Sequence, residues 1–226
     1  LESELTLVFD VLDYALLSAP GAPLKQALID AGIGKDIMGG FDNSTLQPIF
    51  SVVAKNANKE DEEKFVGIIE DTLKKIVKDG LNRKSLLAGI NSEEFKFREA
   101  DYGNFPKGLI YGLSCMDSWL YDDDEPFLYL KILDVFAALK EKIETGYFEE
   151  LIQKYLLDNT HGSIVIIKPE RGRTARMDKE LADKLQAYKD SLSKEEIDAL
   201  VKATKELEEY QEEESAPEDL AKIPVL

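Results

Sequence analysis

The chain has 226 residues, of which 44% are hydrophobic and 32% are charged, and its formal net charge is −17. This composition is typical of a soluble globular protein, and the length allows one large domain, alone or with an appendage. The negative charge argues against nucleic-acid binding, which depends on Lys and Arg at the phosphates, and favours cationic partners.

The sequence carries no visible targeting or anchoring signal. It has no long unbroken run of uncharged apolar residues and no basic segment followed by an apolar one, so we expect no membrane contact and no export signal. It begins with Leu1 rather than methionine, and we expect a piece of a longer product. The single cysteine, Cys115, excludes an internal disulfide and fits a reducing compartment. Because no transit-like stretch is visible, we expect a bacterial-type cytosol rather than an organelle matrix.

The first part of the sequence predicts two helices and two strands. Residues 5–17 are apolar on nearly every side, as in a helix that is buried all round. Pro23 suits the first turn of a second helix, which we expect to close at Gly32 or Gly34. Two β candidates follow, IMGGFD and PIFSVVAK, and the second is rich in Ile, Phe and Val.

Apolar residues at helical spacing predict further helices. Asn58 can cap the first of them and Gly80 can stop it. These helices span residues 59–80, 82–102, 105–121, 126–143 and 147–157. An apolar, β-branched segment at 163–169, SIVIIKP, then predicts a strand.

Beyond Pro169 the composition changes. From Gly172 to Asp219 there are 8 basic and 15 acidic residues, and the apolar residues thin to one stripe. The stripe runs along two helical stretches, and the Ser-Lys-Glu-Glu that begins at Ser193 between them has the spacing of a capping box. We predict a helical hairpin with a narrow apolar seam, which must dock on something else, followed by a linker.

We assign no catalytic, cofactor-binding or metal-binding residue to this chain. A zinc hydrolase needs three or four His, Cys or carboxylate ligands at one point, whereas this chain has one histidine, His161, and one cysteine, Cys115. We interpret His161 as a turn residue and Cys115 as core filling. The sequence has no Gly-x-Gly-x-x-Gly, Gly-x-Ser-x-Gly or Walker loop.

Two groups of acids are weaker candidates. Calcium loops alternate their ligands around a glycine, so we interpret the contiguous acids 122–125 as a solvated loop in which Asp124 opens the next helix. Glu94, Glu99 and Asp101 form an alternative acid/base set. Glu94 and Glu99 share a helix face poorly, so we interpret this set as a charged outer face. An acidic-dyad hydrolase built on it would be active in the isolated chain with a chelator present.

Gly39 and Gly40 lie within the first predicted strand. Glycine in a strand marks either a bulge or close packing, or else a surface that the backbone of a peptide can approach. The sequence leaves both interpretations open.

Residues 91–130 carry three motif runs at fixed offsets: Asn-x-x-Glu-Phe-x-x-Arg-Glu, Gly-x-Phe-Pro-x-Gly-Leu and Trp-x-Tyr-Asp. Their members are Asn91, Glu94, Phe95, Arg98, Glu99, Gly103, Phe105, Pro106, Gly108, Leu109, Trp119, Tyr121 and Asp122. In these runs the segment resembles the presequence-protease branch of the pitrilysin and insulinase clan of zinc metallopeptidases. We expect Arg98 and Glu99 to close a helix, and Gly103, Pro106 and Gly108 to redirect the chain into the next one.

Further segments resemble the same family. Residues 16–34 are similar to its small-Pro-Leu segment, with Ala22 where the family has Ser, so a side-chain helix cap is missing. Residues 147–170 are similar to the end of a non-catalytic domain, with Thr160 where Pro is common. The acidic hairpin from Gly172 onward resembles the segment that joins the two halves of those enzymes.

The resemblance implies an α+β fold of the pitrilysin type (LuxS/MPP-like), with helices on a mostly antiparallel, incomplete sheet and a long helical hairpin after it. It implies a non-catalytic domain at 1–170, the hairpin as connector at 171–216 and an exit linker at 217–226. No cofactor is implied for this chain. Zinc belongs to the parent enzyme, whose His-x-x-Glu-His motif has no counterpart here.

The implied function is that of a non-catalytic wall of the peptide chamber, and of a connector between enzyme halves, in a zinc-dependent oligopeptidase. The partners would be the remaining domains of the same polypeptide and, for the parent, short unfolded or basic peptides, with no nucleic acid and no membrane. The alternative is a standalone scaffold, derived from such a peptidase, that binds peptides without cutting them. In the first case the parent is an enzyme and this chain alone is not.

Overall fold

A computed structural model describes residues 2–222 of the chain. It divides into two compact units with a boundary between Val165 and Ile166, and each unit is described on its own. The end of the predicted exit linker, 223–226, lies outside the described residues. Most of the described residues are helical and two strands form an antiparallel sheet, which confirms the predicted α+β class.

The helices and strands have the following bounds. In the first unit, helices α1 to α7 are Ser3–Asp13, Pro23–Asp30, Glu62–Asp79, Arg83–Glu99, Lys107–Trp119, Leu133–Lys142 and Tyr147–Ile152. The strands are β1, Asp36–Asp42, and β2, Ile49–Lys55. Wider helical turns continue α1 through Tyr14–Ser18 and α7 through Gln153–Leu157. In the second unit, α8, α9 and α10 are Arg173–Ser191, Lys194–Glu212 and Pro217–Leu220.

α1 and the turn that continues it fill the centre of the first unit. The fully buried residues of this segment include Val8, Val11, Leu12 and Leu16. The segment is buried on nearly every side because apolar side chains occupy nearly every side, as the sequence predicts. Helices α4 and α6 and strand β1 pack around it. Gly89 permits the close approach of α4, since a Cβ there would lie 3.1 Å from Tyr14 Cδ1 and 3.3 Å from Val11 Cγ1.

By length and hydropathy alone, the stretch Ser3–Asp30 is long and apolar enough to cross a membrane, and 56% of its apolar window is buried within the unit. The sequence-based expectation counted only unbroken uncharged runs, which Asp10 and Asp13 interrupt. The chain turns at Pro20 and Gly21, where Gly21 has a φ of +72°. The apolar character of the stretch is accounted for by its place in the core.

α2 ends in a complete Schellman motif. Gly32, with a φ of +73°, takes the left-handed conformation that follows the last turn. The N–H of Gly32 donates to the carbonyl of Ile29 at 2.9 Å, and that of Ile33 donates to Leu28 at 3.0 Å. These bonds satisfy carbonyl groups that a helix end leaves open. Of the two glycines that the sequence offers, Gly32 therefore closes the helix.

β1 and β2 pair in an unbroken antiparallel register. One face of this hairpin packs on α1: the ring of Phe9 stacks on Phe41 at 5.3 Å and meets Phe50 edge-on at 6.1 Å. Phe41 and Phe50 are themselves partners across the two strands. The opposite face exposes Met38 and Val53, so the sheet is covered on one side only by the described residues.

Gly39 is a position of close packing. A Cβ there would lie 2.1 Å from the carbonyl oxygen of Ser51 and 2.7 Å from Leu17 Cδ1. At Gly40 an added Cβ would meet open space. Because the register has no extra residue in either strand, the bulge interpretation is wrong, and packing explains Gly39 alone.

Glu149 on α7 is a buried carboxylate that ties α7 to the start of α4. Its Oε1 accepts hydrogen bonds from the backbone N–H of Leu81 and from Nη1 of Arg83, both at 2.7 Å. Its Oε2 is buried and has no partner among the described residues. A buried charge is tolerated only when it is paired and hydrogen-bonded, so the two bonds to Oε1 hold this carboxylate in place.

The segment 163–169 is not a strand. It has no regular structure, and Val165 and Ile167 are 78% and 89% exposed. A β-branched run becomes a strand only where a neighbouring strand supplies backbone hydrogen bonds. No strand in the described part of the chain pairs with this segment, so the prediction from composition is wrong.

The start of α3 differs from its prediction. Asn58 does not cap a helix with its side chain; its Nδ2 donates to Asp61 Oδ2 at 3.1 Å, ahead of a single tight turn. The helix itself begins at Glu62. Asn side chains compete with the backbone for local hydrogen bonds, and here the Asn58 amide is used in the turn instead.

The start of α6 also differs. The helix predicted from 126 begins only at Leu133, after a tight turn at Leu128–Leu130. Asp124 does not open it: the N–H of Asp124 donates to Asp122 Oδ1 at 3.0 Å. This Asx turn ends the preceding segment and leaves a solvated loop before α6.

In the second unit, Ser193 begins α9 with the predicted capping box. Its Oγ accepts from the N–H of Glu196 at 3.2 Å, and Glu196 Oε2 accepts from the N–H of Ser193 at 2.8 Å. The apolar stripes of α8 and α9 remain exposed at Met177, Leu181, Leu185, Tyr188, Leu200, Val201 and Leu207. The predicted seam is therefore not closed, because one narrow stripe per helix buries too little surface to hold the pair together.

We expect Gly39→Ala to destabilise the first unit by about 1–3 kcal/mol, because the added methyl group overlaps a backbone carbonyl. Gly40→Ala is the matched control and should change the free energy of unfolding by less than about 0.5 kcal/mol. Urea unfolding followed by circular dichroism measures both. Equal stability of the two variants would contradict the packing at Gly39.

We expect Glu149→Ala to lower the free energy of unfolding by roughly 3 kcal/mol, because it leaves the N–H of Leu81 and the guanidinium of Arg83 without their acceptor. Glu150→Ala, at an exposed position of the same helix, is the control and should change it by less than about 0.5 kcal/mol. Urea unfolding followed by circular dichroism measures both variants. Equal free energies of unfolding for the two would contradict the role of Glu149 in tying α7 to α4.

Candidate interaction surface

α5 carries much of its apolar surface on the outside of the first unit. The outer face of α5 is defined as Leu109, Leu113, Met116 and Trp119 within the helix, with Phe105 just before it and Leu120 just after it, each of them exposed. The four helical members recur at the three- and four-residue spacing that places side chains on one side of a helix. Leu113 is 55% exposed and Trp119 is 51% exposed.

The inward side of α5 mixes the half-buried Ile110 and Tyr111 with polar residues. Ser118 is fully buried, and its hydroxyl donates to the carbonyl of Cys115 at 3.3 Å. Ser114, one turn earlier, is half-buried. Cys115 is also only half-buried and lies outside the core cluster, so its interpretation as core filling is wrong. A helix that only completes a core turns its apolar stripe inward, and the reverse arrangement is typical of an interaction surface.

The turn before α5 positions this face as the sequence predicts. α4 ends at Glu99, and Ala100 and Gly103 take positive φ angles of 48° and 60°. Pro106 precedes the first residue of α5. Gly108 lies inside the first turn of α5 rather than before it, so the chain is redirected by the residues up to Pro106.

The three acids of the candidate acid/base set have separate roles. Glu94 accepts from Arg98 at 2.8 Å and from Lys140 at 2.5 Å, which ties α4 to α6. The hydrogen bonds from Lys140 and Arg98 hold the pKa of Glu94 below its usual value. Asp101 accepts from a backbone N–H of the following turn at 3.0 Å, and Glu99 is exposed. Glu94 and Asp101 are thus engaged in hydrogen bonds that hold local structure.

His161 and the other possible ligands do not converge. His161 is exposed, and its N–H donates to Asn159 Oδ1 at 2.8 Å, as expected of a turn residue. Within residues 2–222, no three His, Cys, Asp or Glu side chains are placed to hold a metal ion. A catalytic zinc needs such a group and an open position for water.

Asp10, Asp13 and Glu93 form an acidic cluster that the sequence analysis missed. Burial raises the pKa of Asp10 to about 7, with the charges of Glu93 and Asp13 acting in the same direction and Lys96 opposing them. Burial also raises the pKa of Asp13, whose Oδ1 has no hydrogen-bond partner among the described residues. The signal for this cluster was the presence of two acids in an otherwise apolar helix.

Comparison with known proteins gives two family matches. The family model described as Peptidase M16 inactive domain matches residues 2–92. The model for the segment associated with subfamily C of the M16 peptidases matches residues 167–226. The two matches together cover about two thirds of the chain. Residues 2–92 and 167–226 therefore match two segments of M16 peptidases.

Two curated relatives align over the whole of this chain. Protein HypA of Clostridium perfringens is 44% identical over 225 residues, which are 100% of this chain and 23% of that protein. Presequence protease 1, chloroplastic/mitochondrial, of Arabidopsis thaliana is 34% identical over 231 residues, which are 100% of this chain and 21% of that protein. The mitochondrial presequence protease of Xenopus tropicalis is 27% identical, over 99% of this chain and 22% of that protein.

The chain therefore resembles part of a presequence protease, as the motif runs predict, and it spans less than a quarter of the length of these relatives. The inactive-domain match covers the core around α1 and the β hairpin. The outer face of α5 lies between the two family matches, in a region that the alignments to HypA and the Arabidopsis protein include.

We expect Asp10→Asn to stabilise the chain near pH 8 and to change its stability little near pH 4. The pKa of Asp10 is raised from 3.8 to about 7, so between these values the folded state holds a proton that the unfolded state has lost. In the unsubstituted chain, the contribution of Asp10 to the free energy of unfolding is therefore highest below about pH 4 and falls as the pH rises through 7, because Asp10 must then lose its proton in the folded state. The Asn side chain stays neutral, so the variant does not lose this stability.

Urea unfolding across this pH range measures the effect. Asp71→Asn, at an exposed position of α3, is the control and should leave the pH profile unchanged. A pH profile of Asp10→Asn that is parallel to that of the unsubstituted chain would contradict the raised pKa of Asp10.

Proposed function

We propose that this chain forms a non-catalytic part of the wall around the peptide chamber of a zinc-dependent oligopeptidase similar to presequence proteases. The observation that carries the proposal is the match of residues 2–92 to the M16 inactive domain, in a unit whose α5 also exposes an apolar face. Such surfaces are typical of contacts with other protein surfaces. The chain would act through shape, by enclosing peptides and excluding folded proteins.

Zinc in such an enzyme would be held by residues other than those described here. The possible ligands of this chain are dispersed: His161 lies exposed in a turn, and Cys115 is half-buried on α5. No group of three within residues 2–222 fits the ion. We therefore assign no step of peptide hydrolysis to these residues.

Negative charge supports the choice of substrate. The formal charge of −17 attracts cationic peptides over distances of about 10 Å at ordinary salt. Residues 206–214, at the end of α9, include six Glu and no Lys or Arg. We propose short unfolded or basic peptides as the substrates of the parent polypeptide.

The second unit is proposed as the connector between enzyme halves. It carries the match to the segment associated with subfamily C, and α8 and α9 leave their apolar stripes exposed. Because helices gain most of their stability from packing, partner surfaces of the parent would hold this pair. A bacterial-type cytosol is the proposed compartment.

The test compares the purified chain with its parent polypeptide. We expect the 226-residue chain to bind no stoichiometric zinc and to leave a short basic peptide uncut, with added zinc or with a chelator. The parent should bind zinc and cut the peptide until the chelator removes the metal. Atomic absorption measures the metal, and mass spectrometry measures the cleavage.

Three outcomes would contradict this proposal. Cleavage by the isolated chain with a chelator present would favour an acidic-dyad hydrolase. Stoichiometric zinc in the isolated chain, together with cleavage, would place the active site within it. A parent that binds the peptide but never cuts it would favour the standalone scaffold.

A further inference from the structure

We infer that the outer face of α5 is a permanent contact between this domain and another part of the same polypeptide, one that lies outside residues 1–226 and presents an apolar, uncharged surface. The inference rests on the proposed function, because it requires a longer parent polypeptide. Within that parent, the outer face of α5 is the surface that joins the domain to the remaining polypeptide, and an apolar, uncharged surface covers it.

The chemistry of the face differs from that of the chain as a whole. Charged residues make up 32% of the sequence, yet Lys107 alone is charged among the seven exposed residues of α5. The face includes Trp119, the single tryptophan of the chain, together with Met116 and Phe105. Trp, Met and Phe are enriched in the cores of protein interfaces, where charged residues are depleted.

The orientation of α5 indicates that the cover is permanent. Ser118 is buried and Leu113 is more than half exposed. The apolar side of α5 is therefore exposed to water unless another surface covers it. This arrangement is unfavourable for as long as the face stays wet. A peptide substrate that enters and leaves would expose the face between turnovers, whereas a neighbouring domain would keep it dry.

The length of the relatives supplies the occupant. This chain corresponds to 23% of HypA and to 21% of the Arabidopsis presequence protease, so more than three quarters of such a polypeptide lies elsewhere. An apolar surface in that remainder belongs to the same polypeptide, so its effective concentration at α5 is high. A second copy of the protein would have to bind from solution, where its concentration is lower. A basic peptide is a poor match, because the face offers no carboxylate to pair with its charges.

Hydroxyl-radical footprinting of the parent polypeptide tests this inference. In the structure described here, Met116 and Trp119 are 39% and 51% exposed, so without a cover they would react only about twofold more slowly than in the urea-unfolded parent. With a permanent cover, we expect both to react at least about tenfold more slowly. Phe136, which is 1% exposed, is the internal reference for a fully buried residue.

A pair of substitutions identifies the face as the contact. We expect Leu113→Asp in the parent to restore the reactivity of Met116 and Trp119, because a carboxylate cannot be buried in an apolar contact without a partner. Leu87→Asp, at a 42% exposed position of α4, is the matched control and should leave both residues protected.

Several results would overturn the inference. One is equal protection of Met116 and Trp119 in the Leu113→Asp parent, and another is a native parent in which both residues react at the twofold level. Protection that rises with the concentration of the parent would assign the face to a second copy, and protection seen only with a bound basic peptide would assign it to substrate. A parent with the face protected but without peptidase activity would overturn the proposed function alone.

Discussion

The burial of α1 is the constraint on which the first unit depends. Its side chains are apolar on nearly every side, so each neighbouring element must cover one of them: α4 across Gly89, α6, and the β hairpin through the Phe9 cluster. Close packing leaves little room at these contacts. The two glycines that touch this segment, Gly39 and Gly89, are therefore positions where a methyl group would have to displace a neighbour.

The buried acids around this core act in opposite ways. Glu149 is paired with Arg83 and hydrogen-bonded to the backbone of Leu81, so its charge links α7 to α4. Asp10 lies near two other carboxylates, and its burial favours the protonated form. A charge that is shielded from water stabilises a fold only where the fold also supplies its partner. Glu149 has such a partner in Arg83, whereas Asp10 has carboxylate neighbours.

The exposed apolar surfaces bear on the proposed function more directly than any single side chain does. The first unit has a closed core and an open apolar face on α5, while the second unit exposes the stripes of both long helices. Together with the M16 matches, these open surfaces favour a chain that works by being assembled with other protein. The dispersed positions of His161 and Cys115 agree with this interpretation, since chemistry at a metal requires convergence.

The sequence by itself determined the local features: the all-round apolar α1, two short strands, the end of α2 at one of two glycines, the turn between α4 and α5, and the capping box at Ser193. Each depends on residues close together in the chain, whose backbone preferences and hydrogen bonds are short-range. Only the tertiary structure decided whether 163–169 is a strand, which side of α5 faces water, whether α8 and α9 close a seam, and how strongly Asp10 is buried. These features depend on contacts with residues that are distant in sequence. A pattern of apolar residues predicts that a surface is buried, but it does not identify the residues that bury it.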